Sequence, residues 1–230
     1  MGISHSPNII THDLVFCNDP IDKNSYAGSG TSTTNIVNGS TGTLGNGPTH
    51  NSTLGYFTYD GPSADGFGGS NQYMAFSSFD HESNQKYTLS AWIKWGASSQ
   101  FAFMGSASSW SDGFKWWGDS YSNIFFRAGD GTNASNILNG YNTGLSTSQW
   151  HNFTMVRNGS DWKFFTNGTY RTTTTVGSIG NTNASATFNL GTSHIWFFPG
   201  SISNALVYNN ALTDAEVLHN YNVHKIRFGR

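Results

Sequence analysis

One segment, Gln149 to Thr175, constrains the fold of this chain more than any other. Three runs of aromatic and β-branched residues are separated there by Asn158-Gly159-Ser160-Asp161 and by Asn167-Gly168. Asn-Gly between such runs is a strong hairpin signal, because a type I′ turn needs positive φ at both central residues. A run such as Trp150–Val156 would span roughly 23 Å, about the height of one wall of a β-sandwich. The segment therefore predicts a three-strand antiparallel meander.

Short strands and turns continue along the rest of the chain, with long Gly-rich and polar loops expected at 28–48 and 60–71. Strand-like runs occur at Leu54–Tyr59, Tyr73–Phe76, Tyr87–Trp95, Phe101–Gly105, Phe114–Trp117, Ile124–Ala128, Thr187–Gly191 and Ser201–Tyr208. Strands spaced this way without intervening helices indicate an all-β fold, a two-sheet antiparallel sandwich or barrel. The length of 230 residues fits one large domain. We assign residues 13–230 to that domain and residues 1–12, which offer little apolar surface to bury, to an N-terminal arm.

One helix is predicted, at Asp214–Tyr221. Thr213 and Glu216 form the T-x-x-E pattern of a capping box, in which both side chains satisfy free amides at the helix start. An apolar stripe that includes Val217 and Leu218 is expected to seal a sheet edge. The role of Glu216 is therefore expected to be structural.

Composition narrows the range of partners. Charged residues make up 10% of the chain, the formal net charge is −2, and Lys and Arg do not cluster, so nucleic acid is not an expected partner. No apolar run is long enough to cross a membrane. The N-terminus lacks the pattern of a secretion signal, so synthesis in a reducing cytosol is expected. The single cysteine, Cys17, excludes an internal disulfide and is expected to be a buried, inert thiol.

Three stretches together resemble the laminin-G-like jelly roll of the concanavalin A-like lectin/glucanase superfamily. They are LVFCNDPIDKNSYAGSGT at Leu14–Thr31 with Gly42-Thr43-Leu44 and Gly47-Pro48, YTLSAWIK at Tyr87–Lys94, and the opening meander joined to GSISNALVYNNALTDAEVLHNY at Gly200–Tyr221. The resemblance implies a two-sheet antiparallel jelly-roll sandwich with one short C-terminal helix. The first stretch and the ending near HKIRFG look most like the versions found in structural proteins of tailed bacteriophages.

That resemblance implies a non-enzymatic virion structural protein with a lectin-like fold. It would be displayed on a phage head or tail, for shell decoration or as part of a tail fibre for surface recognition. The expected partners are other virion proteins, further copies of the same chain and cell-surface polysaccharide, and the expected location is the virion, assembled in the host cytoplasm. A dedicated glycan-binding module for host attachment is the alternative.

The same superfamily contains glucanases, so a glycoside hydrolase is a further alternative. Glucanases of this fold carry their paired carboxylates on one strand as E-x-D-x-x-E, and this chain has only two glutamates, Glu82 and Glu216. Its aspartates fall in turns, where Asp is ordinary turn chemistry. No catalytic residue is therefore assigned.

No cofactor is expected, with calcium as the open case. Many relatives hold calcium in loops of this kind, but here the first long loop has Asn35-Ile36-Val37-Asn38 where relatives often carry Asp, and the turn after the Asp-Gly strand end is expanded into Asp60–Asn71. Asp60 and Asp65 are the candidate oxygen ligands, and plain turn chemistry is the other interpretation. The histidines lack zinc-site spacing.

Tryptophans in SSWSDGFKWWGDS give the strongest candidate for recognition: Trp110, Trp116 and Trp117. Adjacent strand residues point to opposite faces, so Trp116 and Trp117 cannot both enter one core. One of them should face outward or cover a neighbour. An exposed Trp offers a flat apolar platform to a sugar ring or a protein partner. Packing within the fold or at an oligomer interface is the favoured interpretation of this cluster, and core packing is favoured also for His194, Trp196, Phe197 and Phe198.

Overall fold

Two antiparallel sheets of eight strands each make up most of the fold, with a two-stranded ribbon beside them. The computed structural model describes residues 8–61, 71–96, 100–107, 109–119, 122–182, 187–193 and 196–230. The strands are β1 Leu14–Asn18, β2 Ser32–Thr34, β3 Thr41–Gly45, β4 Thr49–Asn51, β5 Tyr56–Tyr59, β6 Tyr73–Phe76, β7 Lys86–Trp95, β8 Phe101–Gly105, β9 Asp112–Gly118, β10 Asn123–Asp130, β11 Ala134–Asn142, β12 His151–Asn158, β13 Asp161–Thr166, β14 Thr169–Thr175, β15 Phe188–Leu190, β16 Thr192–Ser193, β17 Trp196–Phe197 and β18 Gly200–Tyr208.

Sheet A has the order β14-β13-β12-β7-β18-β5-β4, with β1 also paired to β18, and sheet B has the order β11-β10-β9-β8-β15-β6-β3-β2. Neighbours in space are often distant in sequence, as with β7 between β12 and β18. Strands β16 and β17 form the separate ribbon. The predicted class, an all-β two-sheet sandwich with one short C-terminal helix, is confirmed.

The meander is formed by β12, β13 and β14 at one side of sheet A, as predicted. Asn158 pairs with Asp161, so Gly159 and Ser160 form the first turn. The second turn is Asn167-Gly168, with φ of 52° and 71°. Those two positive values are what a type I′ turn requires.

Strand alternation places one large aromatic core between the sheets. In β7 the odd-numbered residues from Tyr87 to Trp95 belong to this core, while Trp92 belongs to a separate cluster. In β9 the core residues are Phe114 and Trp116. Facing residues pack ring to ring across the sandwich, as for Trp116 and Phe164, whose centroids are 6.4 Å apart.

The helix α1 spans Asp214–Lys225 and continues into a 3-10 turn at Ile226–Phe228. Its capping box is confirmed, with the Thr213 side chain accepting from the Glu216 amide and the Glu216 carboxylate accepting from the Thr213 amide. The expectation that it seals a sheet edge is wrong. Val217 packs with outward-facing residues of sheet A, among them Val156 and Phe165, so α1 covers a face.

The predicted long loop at 28–48 contains two strands, β2 and β3. The burial of β3 alternates, with Gly42 and Leu44 inward. A Cβ on Gly42 would lie 2.6 Å from the Phe76 ring, so only glycine fits this strand position. Glycine is typical of loops in a sequence, so a segment with a buried glycine was interpreted as a loop and the strand was not predicted.

Only residues 8–12 of the predicted arm lie in the described part of the chain. Ile9 and Ile10 pack against the cluster under α1, and the Ile10 amide donates to Asn220 Oδ1 at 2.9 Å. Cys17 is buried as predicted, and burial raises the pKa of its thiol. None of the helices in the described ranges is long and apolar enough to cross a membrane.

Candidate functional site

Strand β9 separates the two adjacent tryptophans, as its alternation predicts. Trp116 points into the core and is completely buried, with Phe126 5.5 Å away in an edge-on contact. Trp117 lies on the outer face of sheet B, opposite Phe125 of β10. Trp116 as a surface-binding residue is therefore corrected: its side chain cannot reach a ligand, because both sheets enclose it.

The outer face of sheet B carries an aromatic cluster that we call the tryptophan platform: Trp110, Trp117, Phe125 and Trp196. Trp117 stacks on Phe125 with centroids 5.2 Å apart and planes 6° apart. Trp196 of β17 lies 5.5 Å from Trp117 and 5.4 Å from Trp110. Trp117 retains 5% exposure beneath its neighbours, whereas Trp110 retains 42%. Trp110 is therefore the accessible member of the three predicted residues.

Polar contacts hold the turn that carries Trp110 against the sheet. Asp112 Oδ1 accepts from the Ser109 amide at 2.7 Å, and Arg127 Nε donates to the Trp110 carbonyl at 2.7 Å. The Lys115 ammonium donates to the Ser109 carbonyl and lies 5.4 Å from the centroid of the Trp110 ring. These bonds fix the backbone on both sides of the exposed ring, so the platform is ordered before any ligand arrives.

The lysine at the platform, Lys115, is almost completely buried, with 1% of its surface exposed. Burial is the main cause that lowers the pKa of its ammonium to about 8; nearby Asp112 opposes the shift, and Arg127 adds to it. Lys115 and Arg127 face each other directly across β9 and β10. The platform thus combines an exposed aromatic ring with two cations.

Sequence reasoning found Trp110 and Trp117 but missed the other members of the site. Phe125, Lys115 and Arg127 sit at unremarkable strand positions, and only the register of β9 against β10 brings them to Trp117. Trp196 was expected to pack in the core, but it is half-buried against the other platform tryptophans. His194 lies outside the described residues.

Both glutamates have structural partners. Glu82 is buried, and its Oε1 lies 2.7 Å from Arg157 Nη1. Its Oε2 accepts from the Thr182 amide at 2.6 Å. Burial raises the pKa of Glu82, against the lowering effects of Thr182 and Arg157. Glu216 caps α1.

Of the two candidate calcium ligands, Asp60 is exposed, and its amide donates to Gln72 Oε1 at 2.7 Å. Asp65 lies outside the described residues. Within the described ranges, no three His, Cys, Asp or Glu side chains are grouped so as to hold a metal ion. Calcium at Asp60 and Asp65 therefore stays a prediction.

Solved structures with the same architecture include toxin binding domains. The botulinum neurotoxin serotype D binding domain has a TM-score of 0.68 at 12% identity, over 91% of this chain and 50% of its own. The binding domain of botulinum neurotoxin DC, in complex with rat synaptotagmin II, has a TM-score of 0.70 at 13% identity, over 93% and 52%. A structure of botulinum neurotoxin type C, whose cell entry depends on interaction with two ganglioside molecules, gives 0.70 at 14%, over 93% and 52%.

This chain spans about half the length of those structures, and at such identities the likeness is one of fold alone. No curated protein matches the sequence. The family model described as the concanavalin A-like lectin/glucanases superfamily matches residues 67–218. With that match over most of its length and a lectin-like sandwich to accompany it, the chain belongs to the laminin-G-like branch of the concanavalin A-like lectin/glucanase superfamily.

Proposed function

We propose that this chain is a non-enzymatic recognition module, displayed on a bacteriophage particle, that binds a surface sugar at Trp110. The observation that carries the proposal is the 42% exposure of Trp110 on a base of buried aromatic rings. An exposed indole presents a flat apolar face to the C–H face of a sugar ring and an N–H to its hydroxyl groups.

The rigidity of the platform supports this role. Trp117 and Trp196 contact the Trp110 ring from below and beside, with centroids 6.2 Å and 5.4 Å away. Arg127 and Lys115 fix the backbone on either side of it. A ligand therefore meets a ring whose position is already set, which reduces the entropy lost on binding.

The structural use of both glutamates supports a non-catalytic role. Glycoside hydrolysis uses two carboxylates facing one substrate, with about 5 to 10 Å between them. Glu82 is enclosed by Arg157 and Thr182, and Glu216 is bonded to the start of α1. Neither carboxylate is placed to meet a substrate with the other.

Display on a virion rests on the resemblance of Leu14–Thr31 and the C-terminal residues to phage structural proteins. The similar toxin domains, one in complex with a protein receptor and one that depends on gangliosides, support surface recognition as the task of the module. Mass spectrometry of purified particles should detect the chain at a fixed ratio to the major capsid or tail protein. Particles that lack it would exclude the virion assignment and leave the sugar-binding assignment standing.

A glycan array tests the binding role. Trp110→Ala should weaken binding at least tenfold, because it removes the ring that stacks on the sugar, and the melting temperature should fall only slightly. Tyr170→Ala is the matched control, since Tyr170 is an exposed aromatic residue (48%) on β14 of the other sheet. Equal binding by Trp110→Ala and the unmodified chain would refute the assignment of the site.

A further inference from the structure

Two cations occupy facing positions on the outer surface of sheet B. Lys115 of β9 and Arg127 of β10 are direct cross-strand partners, and Asn136 of β11 continues the row. Like charges placed directly opposite each other destabilise a strand pair. The pairing of Lys115 with Arg127 therefore destabilises the sheet next to Trp110, the most exposed tryptophan of the chain.

The protein compensates these charges only in part. Lys115 donates to the Ser109 carbonyl, and Arg127 donates to the Trp110 carbonyl and to Asn136 Oδ1. Among the described residues, neither cation has a carboxylate within ion-pair distance, although Asp112 is near enough to favour the charged Lys115.

The aspartate opposite Asp112 in the register, Asp130, belongs to a different set of contacts. It accepts from the amides of Thr132, Asn133 and Gly180, and these bonds hold the pKa of its carboxyl at about 2. Gly180 in turn bonds the core residue Arg157. Asp130 is thus engaged with a loop at the end of the sandwich, and within the described ranges it forms no ion pair with Lys115 or Arg127.

Resting on the proposed function, we infer that the Trp110 site selects anionic sugars, with the ring stacked on Trp110 and a carboxylate or sulfate bound by the Arg127 guanidinium. Arg127 is half-exposed, and among the described residues no acceptor is bonded to its Nη2. Guanidinium groups bind carboxylate and sulfate oxygens through parallel hydrogen bonds.

Lys115 contributes through its charge and not by contact, because it is buried beneath the Trp110 ring. A cation kept from water is weakly screened, so it strengthens the attraction for an anion at the platform. The formal net charge of the chain is −2, so a preference for anions cannot come from the protein as a whole. It must arise locally.

Two pairs of polysaccharides test the inference, each pair differing in charge. Polygalacturonate is compared with its fully methyl-esterified form, and dextran sulfate with dextran. The unmodified chain should bind the charged member of at least one pair about tenfold more tightly, the size of one charge-assisted hydrogen bond. The pair that shows the preference tells carboxylate from sulfate. Raising the salt from 0.05 M to 0.5 M should weaken binding of the charged member alone.

Arg127→Gln should abolish the preference for the charged member, because glutamine carries no charge although it can still donate to the Trp110 carbonyl. Arg127→Lys should retain a weaker preference, because the ammonium keeps the charge but lacks the parallel donors of the guanidinium. Arg171→Gln, which removes the same charge from exposed β14, is the matched control and should change nothing. Equal affinity for both members of both pairs, no binding to any of the four, or loss of preference in Arg171→Gln would overturn the inference. The proposed function fails separately, when Trp110→Ala leaves binding on the glycan array unchanged.

Discussion

Two ion pairs of almost equal length should differ several-fold in their effect on stability. Arg157 and Glu82 lie 2.7 Å apart with both side chains completely buried. Lys163 and Asp214 lie 2.8 Å apart with 43% and 54% of their side chains exposed. Distance alone predicts equal energies. The surrounding medium differs, and breaking a buried pair costs about 3–5 kcal/mol, against about 0.2–1 kcal/mol for an exposed one.

Arg157→Met should therefore lower the free energy of unfolding by about 3–5 kcal/mol, because it leaves the Glu82 carboxylate buried without its cation. It also removes donors from the Ile179 and Gly180 carbonyls, at 2.6 Å and 2.8 Å from the guanidinium. Lys163→Met should cost at most about 1 kcal/mol. Urea unfolding at pH 7, followed by tryptophan fluorescence, measures both values.

A double-mutant cycle separates the pair from the other contacts of Arg157. The change Glu82→Met made in the Arg157→Met background should cost at least about 1 kcal/mol less than in the unmodified chain, since the uncompensated charge is then removed. Additive losses, or equal losses for Arg157→Met and Lys163→Met, would refute the argument that burial sets the energy of these pairs.

Three further perturbations follow from the same packing. Burial lowers the pKa of three histidines to about 4: His81, His151 and His224. Between pH 6.5 and 4 the unfolded chain binds protons that the native state does not. At pH 5.5 each of these histidines should therefore lower the free energy of unfolding by about 1.4 kcal/mol. An equal free energy of unfolding in urea at pH 7 and at pH 5.5 would contradict this. Phe228→Ala should cost about 3 kcal/mol, because the ring lies 4.4 Å from Trp92, whereas Ile226→Ala, 81% exposed, should stay within about 0.5 kcal/mol in the same assay. Gly55→Ala should lower the melting temperature more than Gly39→Ala: both have positive φ, but only at Gly55 would the new Cβ meet a neighbour, 2.3 Å from Ile21 Cβ.

The parts of the fold that sequence reasoning predicts are those set by local chemistry. Asn167-Gly168 adopts the two positive φ angles that its turn requires, and Thr213 caps α1 through a residue three positions away. Strand β3 was not predicted because position 42 must be glycine to leave room for the Phe76 ring, which belongs to another strand. When a contact with a residue distant in sequence determines the residue type, the local sequence pattern does not indicate the secondary structure.

Arg157 shows the same limit at a charged residue. In the sequence it precedes Asn158-Gly159, where an arginine is expected at the surface beside a turn. It is buried because Glu82, 75 positions earlier, supplies the compensating charge. The candidate site has the same character: alternation predicts that Trp116 and Trp117 separate, but only the pairing of β9 with its neighbours decides which of the two faces outward.

Alternation places a tryptophan on the outer face of each sheet, and the chain covers the two in different ways. Trp92 of sheet A lies against Tyr221 and Phe228, contributed by α1 and the turn after it, and is 1% exposed. Trp117 of sheet B is covered by single side chains, among them Phe125, Trp196 and Trp110, and Trp110 itself keeps 42% of its surface exposed. If Trp110 served only as a cover, a helix or an aliphatic side chain would bury Trp117 with less aromatic surface left in water. Trp110 covers apolar surface of the sheet but leaves its own apolar indole exposed to solvent. A ligand is therefore expected on the outer face of sheet B and not under α1.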